Sequence, residues 1–205
     1  MTPRRGNQEQ HPETSLPNDP ITQRLERVII GDIEPQTIVI ADYDPAWPER
    51  FRHEEARIRA SLGKSVLALE HIGSTSVPGP AAKPIVDVLL VVEDSADESS
   101  YLPALEGAGY VLRVREPELD GHRMFRTPAR DVHVYSSGSR EIERYRLLRD
   151  RLREREVERE LYARTERELA GKEWPTMDHY ANAKTEVIEG IIARAVAARS
   201  PRRDL

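Results

Sequence analysis

Pro84-Ile85-Val86-Asp87-Val88-Leu89-Leu90-Val91-Val92 is apolar at odd and even positions alike, apart from Asp87. A run of this length, rich in β-branched residues and needing cover on both faces, predicts a central strand rather than an edge strand or an amphipathic helix. An ionised carboxylate inside such a strand is costly unless something offsets its lost hydration. A basic partner, a strand end open to solvent or a divalent cation would each do so. The residues alone leave a salt-bridged structural carboxylate and a Mg²⁺ ligand as open alternatives for Asp87.

Working upstream, Val66 to Ile72 reads as a strand that runs directly into Gly73-Ser74-Thr75-Ser76 and then Val77-Pro78-Gly79. Glycine permits close backbone approach, and the amides and hydroxyls of Ser74, Thr75 and Ser76 are donors suited to phosphate oxygens. An ordinary strand-to-turn connection is the competing reading, since no Walker lysine follows. Further upstream, Thr37 to Ala41 has strand composition, and Asp44-Pro45 opens a helix through Gly63 with Trp47, Phe51, Ile58 and Leu62 on one face. Ile21, Leu25, Val28 and Ile29 describe a short amphipathic helical arm within 20–36, expected to pack on the domain or on a second subunit of a homo-oligomer. Residues 1–19 are proline-rich and polar and read as a disordered tail.

Downstream, a helix is expected near 97–106, followed by strands over 110–115, 122–127 and 131–135. Ser139 offers an N-cap for a charge-rich helix over 141–170, whose Arg/Glu run is most simply a solvated face. A last helix spans 177 to about 198, with 199–205 fraying. Helices, then strands, then two long helices make an α+β fold with a mixed sheet. On a strand, Asp131 and His133 have period-2 spacing and share a face. They are candidate co-ligands with Asp87, or His133 is a candidate base, against the plainer reading of a polar strand face. Lys83, Arg123, Arg126 and Lys184 are the cations available to neutralise a polyphosphate, and Tyr180 and Lys184 lie one helical turn apart, placed to cover a cleft.

The 205 residues hold 31 Lys plus Arg against 36 Asp plus Glu, a formal charge of −5 that argues against coating a nucleic acid or a membrane. Absence of cysteine excludes disulfides, thiolate metal sites and thiol nucleophiles. The N-terminus carries no apolar signal core, so a cytoplasmic protein is expected.

Asp42-Tyr43-Asp44-Pro45-Ala46-Trp47-Pro48-Glu49-Arg50-Phe51, the Glu70–Gly79 segment and Ala82-Lys83-Pro84-Ile85-Val86-Asp87-Val88-Leu89 together closely resemble the GrpB family of nucleotidyltransferase-like proteins. The resemblance continues through Gly109-Tyr110, His122-Arg123-Met124-Phe125, His133-Val134, Arg149-Asp150-Arg151-Leu152-Arg153 and Tyr180 to Lys184, covering roughly 38–195. It implies a nucleotidyltransferase-like mixed β-sheet core followed by long C-terminal helices. It also puts Gly73-Ser74 at the glycine-serine phosphate motif and Asp87 at the strand carboxylate. The implied activity is a nucleotide-dependent transferase acting on a nucleoside triphosphate and an unidentified acceptor. Asp87, Asp131 and His133 would carry catalysis and hold Mg²⁺ or Mn²⁺, and Gly73, Ser74, Thr75, Ser76, Lys83, Arg123 and Lys184 would bind the nucleotide. One departure is specific: active nucleotidyltransferases resemble Asp-x-Asp at this strand, and here Leu89 takes the second position. Some family members are fused to dephospho-CoA kinase, and the rival expectation is a noncatalytic nucleotide- or CoA-binding module.

Overall fold

Five strands form one sheet in the order β1-β2-β5-β4-β3, in a computed structural model that describes residues 16–33 and 37–199. The strands are β1 (Ala68–Ile72), β2 (Val86–Val92), β3 (Val111–Glu116), β4 (His122–Thr127) and β5 (Arg130–Ser136). Only β2 and β5 run parallel; the other neighbours are antiparallel, so the sheet is mixed as expected. The apolar run sits at β2, flanked by β1 and β5, and its even-numbered residues Val88, Leu90 and Val92 are buried against α2 (Trp47–Leu62) and α3 (Leu102–Gly107). Trp47, Ile58, Tyr101 and Phe125 complete that core. On the opposite face Ile72, Leu89, Val91 and Tyr135 meet Ile142 of α4 (Arg140–Glu154).

Local signals place the helix starts. Asp19 caps α1 (Pro20–Val28) by accepting from the Thr22 amide at 2.9 Å, with Pro20 at the first position where its missing N–H is not needed. Ser139 caps α4 as expected. The arm α1 packs on its own domain, where the Ile30 amide donates to the Arg113 carbonyl at 2.8 Å.

Four expectations need correction. Thr37 to Ala41 forms no strand; Ala41 makes an isolated bridge to Ala82, because no neighbouring strand offers a ladder. The helix expected over 141–170 breaks at Arg155 (φ −119°, ψ 106°) into α4 and α5 (Glu156–Ala170), and the last helix breaks at Lys184 into α6 (Met177–Ala183) and α7 (Thr185–Arg199). Both breaks let the pieces pack on one another, with α4 also reaching β1, a tertiary demand that outweighs local propensity. Nor is the Arg/Glu run simply solvated: Glu158 and Glu166 are buried, and Arg149 lies against the sheet edge. Of the tail expected over 1–19 and the fraying expected over 199–205, residues 1–15 and 200–205 lie outside the described residues, as do 34–36, while Asp19 is ordered as the α1 cap and Arg199 ends α7. Among the described residues no helix is long and apolar enough to cross a membrane.

Leu90 has no exposed surface and lies on the same strand as Asp87. Leu90→Ala is expected to lower folding stability by about 3 kcal/mol, read as a shift in the urea midpoint at unchanged slope.

Candidate functional site

The sheet register brings polar groups from four strands into one row on the face opposite α2. Glu116 of β3 pairs across to His122 of β4, and β2 sets Leu89 beside His133 of β5, with Asp87 one pleat away on the same face. Glu116 Oε2 lies 2.8 Å from His122 Nδ1, His122 Nε2 lies 3.1 Å from His133 Nδ1, and His133 Nε2 lies 3.7 Å from Asp87 Oδ1. Burial alone would raise the Glu116 carboxyl, but the His122 hydrogen bond and the Arg24 guanidinium prevail and hold it below its ordinary range. Burial lowers His122, against the pull of Glu116, so its ring is held neutral. An ionised Glu116 only accepts, so His122 Nδ1 donates to it; His122 Nε2 then accepts from His133 Nδ1. A neutral His133 therefore presents the Nε2 lone pair toward Asp87.

Gly73 makes the other side of this arrangement. It adopts φ +68°, and a Cβ built on it would stand 2.2 Å from Asp87 Oδ2. The carboxylate occupies the room that any other residue at 73 would fill. Beyond Gly73, Ser74 to Ser76 form a single 3₁₀ turn. Thr75 Oγ1 donates to the Ile85 carbonyl at 2.9 Å, so the 3.0 Å contact with His71 Nε2 must be donated by His71. Ser76 Oγ donates to the Gly73 carbonyl at 2.6 Å. These two hydroxyls hold the turn and do not face the cleft. Only Gly73 and Ser74 of the four loop residues line it.

The cleft has a volume of about 360 Å³ and is walled by the sheet, the arm and α5 to α7. Lys83, Asp87, Asp131, His133 and Lys184 are all brought to it, whereas Arg123 is not: its side chain turns to the other face, where Nε donates to Glu98 at 2.6 Å. Asp131 lies in the cleft with both oxygens engaged by Arg126, at 2.8 and 3.1 Å. Lys184 Nζ is 3.1 Å from the buried Glu166 and 4.5 Å from the Tyr180 ring centroid, which puts the Tyr180/Lys184 turn at the cleft as expected. Among the described residues Lys83 has no ion pair, and Arg113 donates only to the Asp32 carbonyl at 2.7 Å. Sequence reasoning passed over Glu116, Arg113 and Tyr145, all lining the cleft, and left His122 without a role. Alternation along 114–116 and 122–127 was the available signal for Glu116 and His122, whereas Arg113 sits at the register shift between Leu112 and Val114, which local pattern does not announce.

For a divalent ion, Asp87 offers oxygen and His133 offers nitrogen, while Leu89 offers nothing and Asp131 is committed to Arg126. Among the described residues no three or more His, Asp or Glu side chains are placed to hold one ion between them. The pair fits an ion whose remaining positions are filled by a ligand's oxygens, not one held by protein alone.

A mixed five-stranded sheet with helices on both faces and one polar cleft at the β1–β2 connection defines the class. A family model described as GrpB protein matches residues 37–194, and the chain belongs to the GrpB family. It is 48% identical over 179 residues to the UPF0157 protein of Halalkalibacterium halodurans, covering 85% of this chain and 92% of that one. It is 49% identical over 173 residues to a UPF0157 protein of Streptomyces coelicolor, covering 83% and 91%. The crystal structure of the conserved protein GrpB from Enterococcus faecalis superposes with a TM-score of 0.70 at 33% identity, over 78% of this chain and 98% of that one. A shorter stretch of 70 residues, 33% of this chain, is 34% identical to 17% of a dephospho-CoA kinase of Mycolicibacterium paratuberculosis.

Two outcomes follow from this geometry. Gly73→Ala is expected to cost about 3 kcal/mol through the Asp87 contact and the positive φ, and a double-mutant cycle with Asp87→Ala should recover about 1 kcal/mol of it. The second concerns pH: burial pushes His71 down to about 4 from its ordinary 6.5, so the unfolded chain takes up a proton that the folded chain refuses. Stability contributed by neutral His71 is present above pH 6.5 and is lost as pH falls through that window toward 4. His71→Gln, which still donates to Thr75, should lose about 2–3 kcal/mol less than wild type between pH 7 and pH 4 in urea melts.

Proposed function

We propose that the cleft binds a nucleoside triphosphate or a related phosphate ester and transfers a nucleotidyl group to an acceptor hydroxyl or amine with pyrophosphate leaving, or a phosphoryl group with the nucleoside diphosphate leaving. The observation that carries this reading is the ordered row Glu116–His122–His133 aimed at Asp87, beside a glycine-serine turn and two cations without carboxylate partners. Phosphates would lie over Gly73 and Ser74, where the first amides of a helical turn have no partner within it. Lys83 and Arg113 would offset their charge and the charge that develops on transfer. His133 Nε2 takes the proton of the attacking group, while Glu116 and His122 fix its tautomer and orient the ring.

A divalent ion, Mg²⁺ or more readily Mn²⁺, would be held by Asp87 and His133 with phosphate oxygens completing its shell. When bound it would neutralise charge on the phosphates. With such an ion bound, His133 would serve as a ligand rather than as the base. The second reading, a noncatalytic nucleotide- or CoA-binding module, is favoured by one observation: with Leu89 in place and Asp131 paired to Arg126, a single free carboxylate remains near His133.

Calorimetry separates the readings. The transferase reading expects Mn²⁺ and ATP each to raise the other's affinity by the same factor, and Asp87→Asn to abolish that coupling in a folded protein. His133→Gln should reduce transfer, followed by mass spectrometry of acceptor pools with labelled ATP, by about 100-fold or more. Nucleotide binding with no metal coupling and no transferred label would leave the binding module. No nucleotide binding at all would remove both.

A further inference from the structure

A second pocket lies on the other side of the same loop, at the free edge of β1. It has a volume of about 470 Å³ and is lined by Phe51 and Arg52 of α2, Glu70 and His71 of β1, and Arg149 and Arg153 of α4. None of these residues lines the cleft described above. Its charges do not balance locally. Glu70 is shared by Arg146, an Nε–Oε1 contact of 2.8 Å, and by Arg149, an Nη1–Oε2 contact of 2.7 Å. Arg149 also holds Asp150 at 2.7 Å. Three guanidiniums thus face two carboxylates, and Arg153 is the one left over. Its Nε and Nη2 both donate to a neutral acceptor, the Ser76 carbonyl, at 3.0 and 2.8 Å, and it has no carboxylate partner among the described residues.

Arginine stays charged in a protein, so Arg153, exposed at the pocket, keeps a full charge that no carboxylate among the described residues offsets. The strain shows in Arg153 itself: burial and the neighbouring Arg149 both disfavour its charged form. An anion in the pocket removes this imbalance. The unused donors suit a planar or tetrahedral oxyanion, since a guanidinium grips such groups through two nitrogens. His71 adds a complementary feature. With its Nε2 proton given to Thr75, its Nδ1 is a lone-pair acceptor, matched to a P–OH rather than to a fully ionised sulfate or carboxylate. The His71 ring stacks on Phe51 with centroids 4.9 Å apart and planes at 5°, giving the pocket one apolar wall.

We infer that the pocket between α2, β1 and α4 is a phosphate-binding site, built from Arg149, Arg153 and His71 and separate from the nucleotide cleft. The inference holds whether or not the cleft is a transferase site, because it shares no residue with it. Two ligand sources present the same group, free inorganic phosphate and the monoester of a nucleotide or sugar whose organic part would cover Phe51.

The test is a titration of the full chain with inorganic phosphate and, separately, with AMP, followed through the side-chain Nε–H resonances of its arginines. Lys83→Ala is present throughout to weaken phosphate binding in the cleft. Saturable shifts of the Arg149 and Arg153 signals, with affinity lowered about tenfold or more in Arg153→Met, are the expected result. Tighter binding of AMP than of phosphate assigns the monoester as the source, and equal binding assigns phosphate itself. Absence of saturable shifts at these two arginines in the folded Lys83→Ala protein overturns the inference without recourse to any change at Arg153. Undiminished affinity in a folded Arg153→Met protein does so as well.

Discussion

The carboxylate of Asp87 and the missing side chain of Gly73 occupy one space, and the rest of the site is arranged around that fact. Gly73 ends β1 opposite the strand residue that carries the charge, with Ile72 paired to Asp87 in the ladder. A Cβ at 73 would displace the acid from His133, and a larger strand residue at 87 would displace the turn. The apolar flanks of Asp87 in β2 anchor the strand through burial, so the acid cannot slip out of register to gain solvent: a shift by one residue would turn Val86, Val88 and Leu90 out of their core. The cost of holding a partly buried carboxylate is therefore met by the stability of the strand itself.

From Asp87 the polar row runs across β5, β4 and β3, and each member determines the state of the next. Glu116 is ionised because His122 and Arg24 favour it; His122 is neutral because it is buried; His133 donates inward because His122 can only accept. Tyr135 stacks on His122 at 4.9 Å and Tyr145 closes over His133, so neither ring has room to flip without disturbing the apolar cluster beneath α4. The tautomer at the cleft is thus fixed by groups up to two strands away.

How much of this was legible depends on the range of the interaction. The central strand, the capped helices and the three later strands follow from local pattern, and all were placed within a few residues. The partner of Asp131 was also within reach. Thr127 and Arg130 flank a two-residue Pro128-Ala129 turn, and a hairpin closing there necessarily sets Arg126 opposite Asp131. By contrast the break at Arg155 falls in an unbroken Arg/Glu stretch without glycine or proline, and arises from how α4 and α5 pack on α7. The same limit hid Arg149 and Arg153. On a helix with arginine at nearly every other position, only the sheet edge decides which guanidiniums lose their water.

The energetics of the row also fix the states of its two inner members, Glu116 and His122. Moving a proton from His133 to His122 would charge the more buried ring, which burial disfavours, and would turn the inner hydrogen bond around. His133 Nε2 is the end of the row that meets the cleft, 3.7 Å from the Asp87 carboxylate. Glu116, already hydrogen-bonded to His122 and close to Arg24 at 3.5 Å, supplies a fixed negative charge at the far end without itself taking the proton. The sheet in this way orders donors and acceptors from Glu116 to the one nitrogen of the row that faces the cleft, with side chains whose sequence across the strands is set by backbone register alone.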